Sequence, residues 1–275
     1  MTVPGVRYPA VAGQFYPARL ETLTRDLDRY LAREAENELP FSSAIGCVVP
    51  HAGYMYSGHV AGAVYRRLPA RTSYIILGPN HFGRGKPLAT MRAGVWLTPL
   101  GPVPLDPALA HAVSSACSAL AEDAEAHATE HSLEVQVPFL QRCAPTLSIL
   151  PIAVGVGDYE TLELLGHAVS EGVKLAPEPT LIVASSDLNH YEPDDLTRVK
   201  DRKAIDRILD LDAAGLYETV MREQISMCGF GPVVAMLVAA RDLGARRAEL
   251  VKYATSADAG GPTDAVVGYA GVVVQ

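Results

Sequence analysis

Short apolar runs rich in Val and Ile recur along the chain with room for a helix between them. They cover 44–50 (AIGCVVP), 73–79 (SYIILGP), 147–155 (LSILPIAVG), 180–187 (TLIVASSD), 248–255 (AELVKYAT) and 265–274 (AVVGYAGVVV). Short apolar runs of this kind predict buried strands, covered on both faces. The stretches between them carry apolar residues at spacings of three and four, as at Leu23, Leu27, Tyr30 and Leu31, and so predict helices over 21–37, 58–68, 106–120, 131–144, 159–175, 194–212 and 231–244. Strands alternating with helices give an α/β fold: a central mixed, partly parallel sheet with helices on both faces. Residues 83–105 are dense in Gly and Pro and predict loops with short strands. No composition break, linker or repeat divides the chain, so residues 1–275 are expected to form a single domain.

Composition narrows the function classes. The 275 residues are 49% hydrophobic and 20% charged, with a formal net charge of −8. With no positive surplus to neutralise phosphates, nucleic acid and anionic membrane surfaces are not expected partners. No apolar run approaches the roughly 20 residues that cross a bilayer. The opening MTVPGVRYPAVAGQFYP lacks the basic-then-apolar pattern of a secretory signal. Four scattered cysteines (Cys47, Cys117, Cys143 and Cys228) with no CxxC pair suit free thiols in a reducing compartment, and the expected location is the cytoplasm.

The candidate chemistry gathers at strand ends, which is where ligands bind in open α/β sheets. The first run empties into PHAGY with His51, the second into GPNHFG with His81, and the fourth into SSDLNHY with Asp187 and His190. ISMCGFGP places Cys228 just before the helix that starts near Gly231. Singly, each residue has an ordinary structural role: a hydrogen-bonded loop histidine, a turn-forming aspartate, a small buried thiol. Together, His51, His81 and Cys228 can supply two imidazoles and a thiolate to a divalent transition metal while leaving positions open for substrate. Asp187 and His190 can then orient ligands or move protons. In TEHSLEVQVP, His131 and Glu134 lie three apart, on one face of a predicted helix that Ser132 can cap. His59, His111 and His167 read as packed or solvated surface residues. Gly53 is expected to permit a tight turn, with Tyr54 and Tyr56 either lining the pocket or packing under the loop.

The ordered blocks AVAGQFYP, PHAGYMYSGHVAG, ILGPNHFG, TPLGPVPLD, EHSLEVQVPFLQ, LPIAVG, SSDLNHY, CGFGP and YATSAD span nearly the whole chain. In that order and spacing the sequence resembles the Memo family, also known as protein B of the AmmeMemoRadiSam system. The resemblance implies a fold like that of class III extradiol dioxygenases. It implies metal-site positions at His51, His81 and Cys228, a pocket that includes His131, Asp187 and His190, and a radical-SAM or AMMECR-type protein partner. The ring-cleaving enzymes use two His and a carboxylate, whereas the third position here is a cysteine, and a thiolate beside iron and oxygen is itself oxidisable. Likeness of fold alone therefore does not carry ring cleavage to this chain.

Three functional expectations follow. The first is a redox-linked metal protein, with iron foremost and copper or zinc as alternatives, acting on a small-molecule or peptide ligand with His131, Asp187 and His190 handling protons. The second is a metal-binding or partner-docking protein without turnover. The third is a hydrolase. Ser185, Ser186 and Asp187 with the histidines are triad residue types, and Cys228 with a histidine is a nucleophile pair, but no GxSxG elbow is present.

Overall fold

The computed structural model describes residues 5–32 and 40–275. Nine strands form one mixed sheet. At its centre β2 (Gly46–Val49), β9 (Thr180–Ser185), β3 (Ser73–Pro79) and β8 (Ser148–Val154) run parallel, side by side in that order. Beyond β8 come β4 (Leu88–Thr90), antiparallel to it, and then β7 (Ala121–Glu122). Beyond β2 comes antiparallel β12 (Val266–Val274), which also pairs with β11 (Ala248–Thr255) and, at its start, with β10 (His190–Glu192). A small separate sheet joins β1 (Val6–Arg7), β5 (Val95–Thr98) and β6 (Gly101–Pro104).

The unbroken apolar runs are explained by the layers above and below them. In β3, Ile75 and Leu77 face one core while Tyr74 and Ile76 face the other; β9 divides the same way, Ile182 and Ala184 against Leu181 and Val183. The first core is closed by α3 (Pro107–Ala116), α6 (Tyr159–Leu175), α7 (Asp194–Leu209), α8 (Ala213–Arg222) and α9 (Phe230–Asp242). The second is closed by α1 (Leu20–Leu31), α2 (Tyr54–Tyr65) and α5 (Val137–Cys143), while the one-turn α4 (Glu125–Ala128) sits beside β4. Leu23 and Leu27 of α1 are fully buried, which fits the three-and-four spacing; each such leucine contributes about 1.5–3 kcal/mol. The mixed sheet with helices on both faces is the expected fold class.

Some boundaries differ from the sequence reading. The α2 helix starts at Tyr54, not 58, because the Tyr54 ring packs into the core. Residues 131–144 split into a 3₁₀ turn (Glu134–Gln136) and the short α5, with Pro138 in its first turn. The unread α8 follows Asp212, whose carboxylate accepts the Gly215 amide. Residues 33–37 of the predicted first helix lie outside the described residues. Among the described residues no helix is long and apolar enough to cross a membrane, and all four cysteines are free thiols.

Strand order places the chemistry. The chain passes from β2 to β3 through α2 on one face, and from β8 to β9 through α6 on the other. Strand β9 thus lies between β2 and β3, with Val49 opposite Ser185 and Leu77 opposite Ala184. The carboxyl ends of three adjacent parallel strands therefore open onto one place, delivering His51, Asp187 and His81 together.

Candidate metal centre

Each strand-end side chain is fixed by the residues beneath it. His51 is 2% exposed, and its amide donates to Asp187 Oδ1 at 2.8 Å. Its Nδ1 lies 3.0 Å from Ser185 Oγ. That hydroxyl gives its proton to the Ser132 carbonyl at 2.6 Å and accepts from Gln136 Nε2 at 2.8 Å. Ser185 therefore has only a lone pair left for His51, so Nδ1 carries the ring proton and Nε2 keeps its lone pair.

His81 reaches the same state by another route. Glu130, 1% exposed, accepts the His81 amide on Oε2 at 2.7 Å and His81 Nδ1 on Oε1 at 2.9 Å, with the Ser132 amide also on Oε1 at 2.8 Å. Burial pushes the Glu130 carboxyl up, but these hydrogen bonds and the pairing with His81 outweigh it and hold the group down at about 2. A carboxylate holding Nδ1–H leaves Nε2 free as a donor, the arrangement that orients metal-binding histidines.

Cys228 enters from the segment before α9. Gly229 packs against the β9 end, where a Cβ would fall 2.5 Å from Ser186 Cβ and closer still to the Ser185 carbonyl, so only glycine lets the thiol approach. Its Sγ lies 3.1 Å from His51 Nε2 and 3.7 Å from the Asp187 carbonyl. Burial and the Asp187 carboxylate push the thiol well above its usual range, so without a cation it stays protonated and faces the His51 lone pair. Burial, with the neighbouring histidines, lowers His51 well below its usual value and keeps it neutral.

Donor atoms of His51, His81 and Cys228 all lie within 4.8 Å of one another. Donors sharing one ion at about 2.0–2.3 Å stand about 3–4.5 Å apart, so the set fits a single transition metal, which would replace the thiol proton. His81, Glu130 and His131 form a second group of the same span, but both Glu130 oxygens already orient His81 and Ser132.

The other expected residues surround these three. Asp187 is buried, which raises it to about 6 against the opposing pull of His190 and the His51 amide. His131 stacks on His81, centroids 4.6 Å apart and 16° between planes, and Phe15 packs on it, tilted by 48°, at 4.6 Å. His190 binds the Ser226 carbonyl through Nδ1 at 2.9 Å, again leaving Nε2 free. All line an open cleft of about 780 Å³, with Phe15, Tyr56, Tyr191 and Tyr269 among its walls and no Lys or Arg among the described lining residues.

Three sequence expectations are corrected. Glu134 faces away from the cleft: it pairs with buried Arg7 and accepts the Tyr16 hydroxyl and the Ala10 and Val11 amides, tying the N-terminal segment down. Ser132 caps nothing; its hydroxyl donates to the Pro79 carbonyl. Gly53 has φ −54° and caps α2 with no left-handed turn; of the two places open to Tyr54 it takes the packed one, its hydroxyl bonded to the Val135 carbonyl. The residues that sequence reasoning missed are Glu130, Gln136 and Ser185 as orienting groups. Their signal was slight: a glutamate in EHS, and a serine closing a strand.

The Memo-like protein family profile matches residues 7–273. A MEMO1 family protein of Methanosarcina mazei is 44% identical over 271 residues, covering 98% of this chain and 99% of its own. One from Methanopyrus kandleri is 43% identical over 279 residues with the same coverage, and one from Methanocaldococcus jannaschii 40% over 285. Among solved structures, an uncharacterized protein of Escherichia coli K12 superposes with TM-score 0.52 at 14% identity, covering 81% of this chain and 98% of that one, a likeness of fold alone. With full-length relatives at this identity and a profile running almost end to end, the chain belongs to the Memo family.

Proposed function

We propose that the protein is a redox-linked metal protein whose single divalent transition ion, iron foremost and copper or zinc as alternatives, is held by His51, His81 and Cys228 beside a cleft for a small-molecule or peptide ligand. The observation that carries this reading is the fixed proton on both Nδ1 atoms, which leaves His51 and His81 to offer Nε2 lone pairs beside the Cys228 sulfur. Bound there, the ion would supply a Lewis-acidic and redox-capable position at the cleft floor.

The chain's own groups do the rest. Asp187, raised to about 6, can hold a proton near neutral pH, and His190 presents a free Nε2 to accept one. His131 stacks on His81 and is itself packed by the tilted Phe15 ring, which helps fix the His81 plane. The cation-free lining favours an uncharged ligand over a phosphate.

The test is metal content by mass spectrometry after anaerobic purification, for wild type beside His51→Ala and Cys228→Ala. Near-stoichiometric iron or copper that vanishes in both variants supports the reading. Wild type that holds no metal even after reconstitution overturns it.

The 3.1 Å Cys228–His51 contact favours one second reading, a Cys–His hydrolase with Ser185 orienting the base. The buried, protonated thiol and the otherwise idle His81 lone pair weigh against it. Rapid alkylation of Cys228 by iodoacetamide at neutral pH, unchanged in His81→Ala, would favour the hydrolase.

A further inference from the structure

We infer that Asn189 is a positioning residue, a buried clamp that sets two arms of the cleft at once: His190, its chain neighbour, and the segment that carries Cys228. The inference rests on the metal reading only for what the two arms serve. The clamp itself is a property of the folded chain.

Asn189 is 1% exposed, and its side chain spends its full hydrogen-bonding capacity. Oδ1 accepts from the Ser226 amide and hydroxyl, each at 3.1 Å. Nδ2 donates to Glu192 Oε2 at 2.6 Å and to Thr197 Oγ1 at 3.3 Å. An amide donor on one side and a carboxylate on the other permit only this orientation of the side-chain amide. The Asn189 backbone is held as firmly: its amide donates to buried Asp201 Oδ1 at 2.9 Å, and its carbonyl accepts the Gly268 amide at 2.9 Å. Asp201 is in turn braced by the Tyr253 hydroxyl at 2.7 Å.

Ser226 relays this to the cleft. Its hydroxyl accepts the His190 amide at 2.7 Å, and its carbonyl accepts His190 Nδ1–H at 2.9 Å. The tautomer that turns the His190 Nε2 lone pair into the cleft thus depends on where the Ser226 backbone sits, and the Asn189 oxygen sets that. Cys228 is two residues further along the same segment. Tyr191, the next residue after His190, takes φ 61° although it is bulky and 77% exposed, a left-handed conformation that costs about 1 kcal/mol or more. The bonds made by Asn189 and Ser226 on one side, and by Glu192 on the other, hold that turn in place.

The experiment uses the full chain with ¹⁵N-labelled histidine and no added metal, with His190 assigned through His190→Gln and its tautomer read from long-range ¹H–¹⁵N correlations. Wild type is expected to show one His190 tautomer, protonated at Nδ1. Asn189→Leu is expected to lose it, with Nε2 protonation appearing. Asn189→Asp combined with Glu192→Gln exchanges donor for acceptor across that contact, keeps the acceptor at Ser226, and is expected to restore the wild-type pattern. An Nε2-protonated His190 in wild type, or an unchanged tautomer in folded Asn189→Leu, overturns the clamp. Should Asn189→Leu fail to fold, Ser226→Ala serves instead: loss of the acceptor is expected to speed His190 amide exchange at least about tenfold, and unchanged exchange overturns the proposal. The two readings fail separately. The expected tautomers in a wild type that binds no metal leave the clamp standing and sink the metal centre, while bound metal with the wrong tautomer does the reverse.

Discussion

Glu130 carries the most direct test of the candidate centre. Its carboxyl is held at about 2 against an ordinary 4.5 because three protein N–H groups point at it in a buried site. At about 1.4 kcal/mol per unit, that depression stabilises the fold by about 3 kcal/mol. A lowered folded-state value means the contribution is fully present above the unfolded value and is lost as pH falls from about 4.5 towards 2. Glu130→Gln keeps the shape but loses the charge, and it sets an NH₂ against one of the His81 donors. The variant is expected to lose about 3 kcal/mol at pH 7, a fall in Tm of about 6–12 °C at roughly 2–4 °C per kcal/mol for a chain of this size. Without its carboxylate His81 is a poorer and less oriented donor, so metal affinity is expected to fall about 10–100-fold. Calorimetry of the metal-free proteins reads the first effect, and competition with a chromophoric chelator reads the second. A variant within about 0.5 kcal/mol of wild type and of equal affinity would refute the assignment of Glu130 as the group that orients His81. So would a stability difference that fails to close between pH 4.5 and 2.

Glu134→Gln strands the buried Arg7 guanidinium and should cost about 3–5 kcal/mol in urea denaturation with metal stoichiometry unchanged; metal loss in a folded variant would return Glu134 to the site. Gly229→Ala drives a Cβ into Ser186 and the β9 end and should cost about 1–3 kcal/mol while displacing Cys228, so metal retention falls with Tm; full retention would show that the close approach is not needed. Asp201, raised to about 7 by burial, makes wild type less stable as pH climbs from about 4 through 7, so Asp201→Asn should be the more stable protein at pH 8 and lose that advantage by pH 5, read by thermal denaturation.

What the sequence disclosed and what it hid divide along a physical line. Five of the six apolar runs were legible as strands because burial leaves almost no polar alternation in them, the half-buried β11 being the exception, and His51, His81 and Asp187 were legible because each closes such a run. Their meeting depends on strand order, with β9 between β2 and β3, which no local pattern encodes. Glu130 looked like any charged residue at a helix start, since burial of a carboxylate is decided by segments far away in sequence. Glu134 was misread for the same reason: its spacing from His131 fitted one helix face, but a 3₁₀ turn and the distant Arg7 took it elsewhere. His127 carried no sequence signal of its own and is fully buried, edge-on to Trp96 of the small sheet. The α8 helix was missed although Asp212 and the pair Leu216 and Val220 announce it.

Charge explains why these anchors differ and why the cleft walls lack cations. The Nδ1 proton is held by a hydroxyl at His51, a carboxylate at His81 and a backbone carbonyl at His190, so the three rings share a tautomer but not an anchor. His81, backed by a full charge, is the strongest donor of the three. With a divalent ion bound, a Cys228 thiolate and the Glu130 carboxylate would together supply two negative charges to balance it. No lysine or arginine is then needed nearby. Replacement of Cys228 by aspartate keeps this count, whereas replacement by serine leaves one positive charge in excess. Cys228→Asp should therefore retain a divalent ion more tightly than Cys228→Ser, measured side by side by chelator competition. The reverse order would refute charge balance as what governs the site.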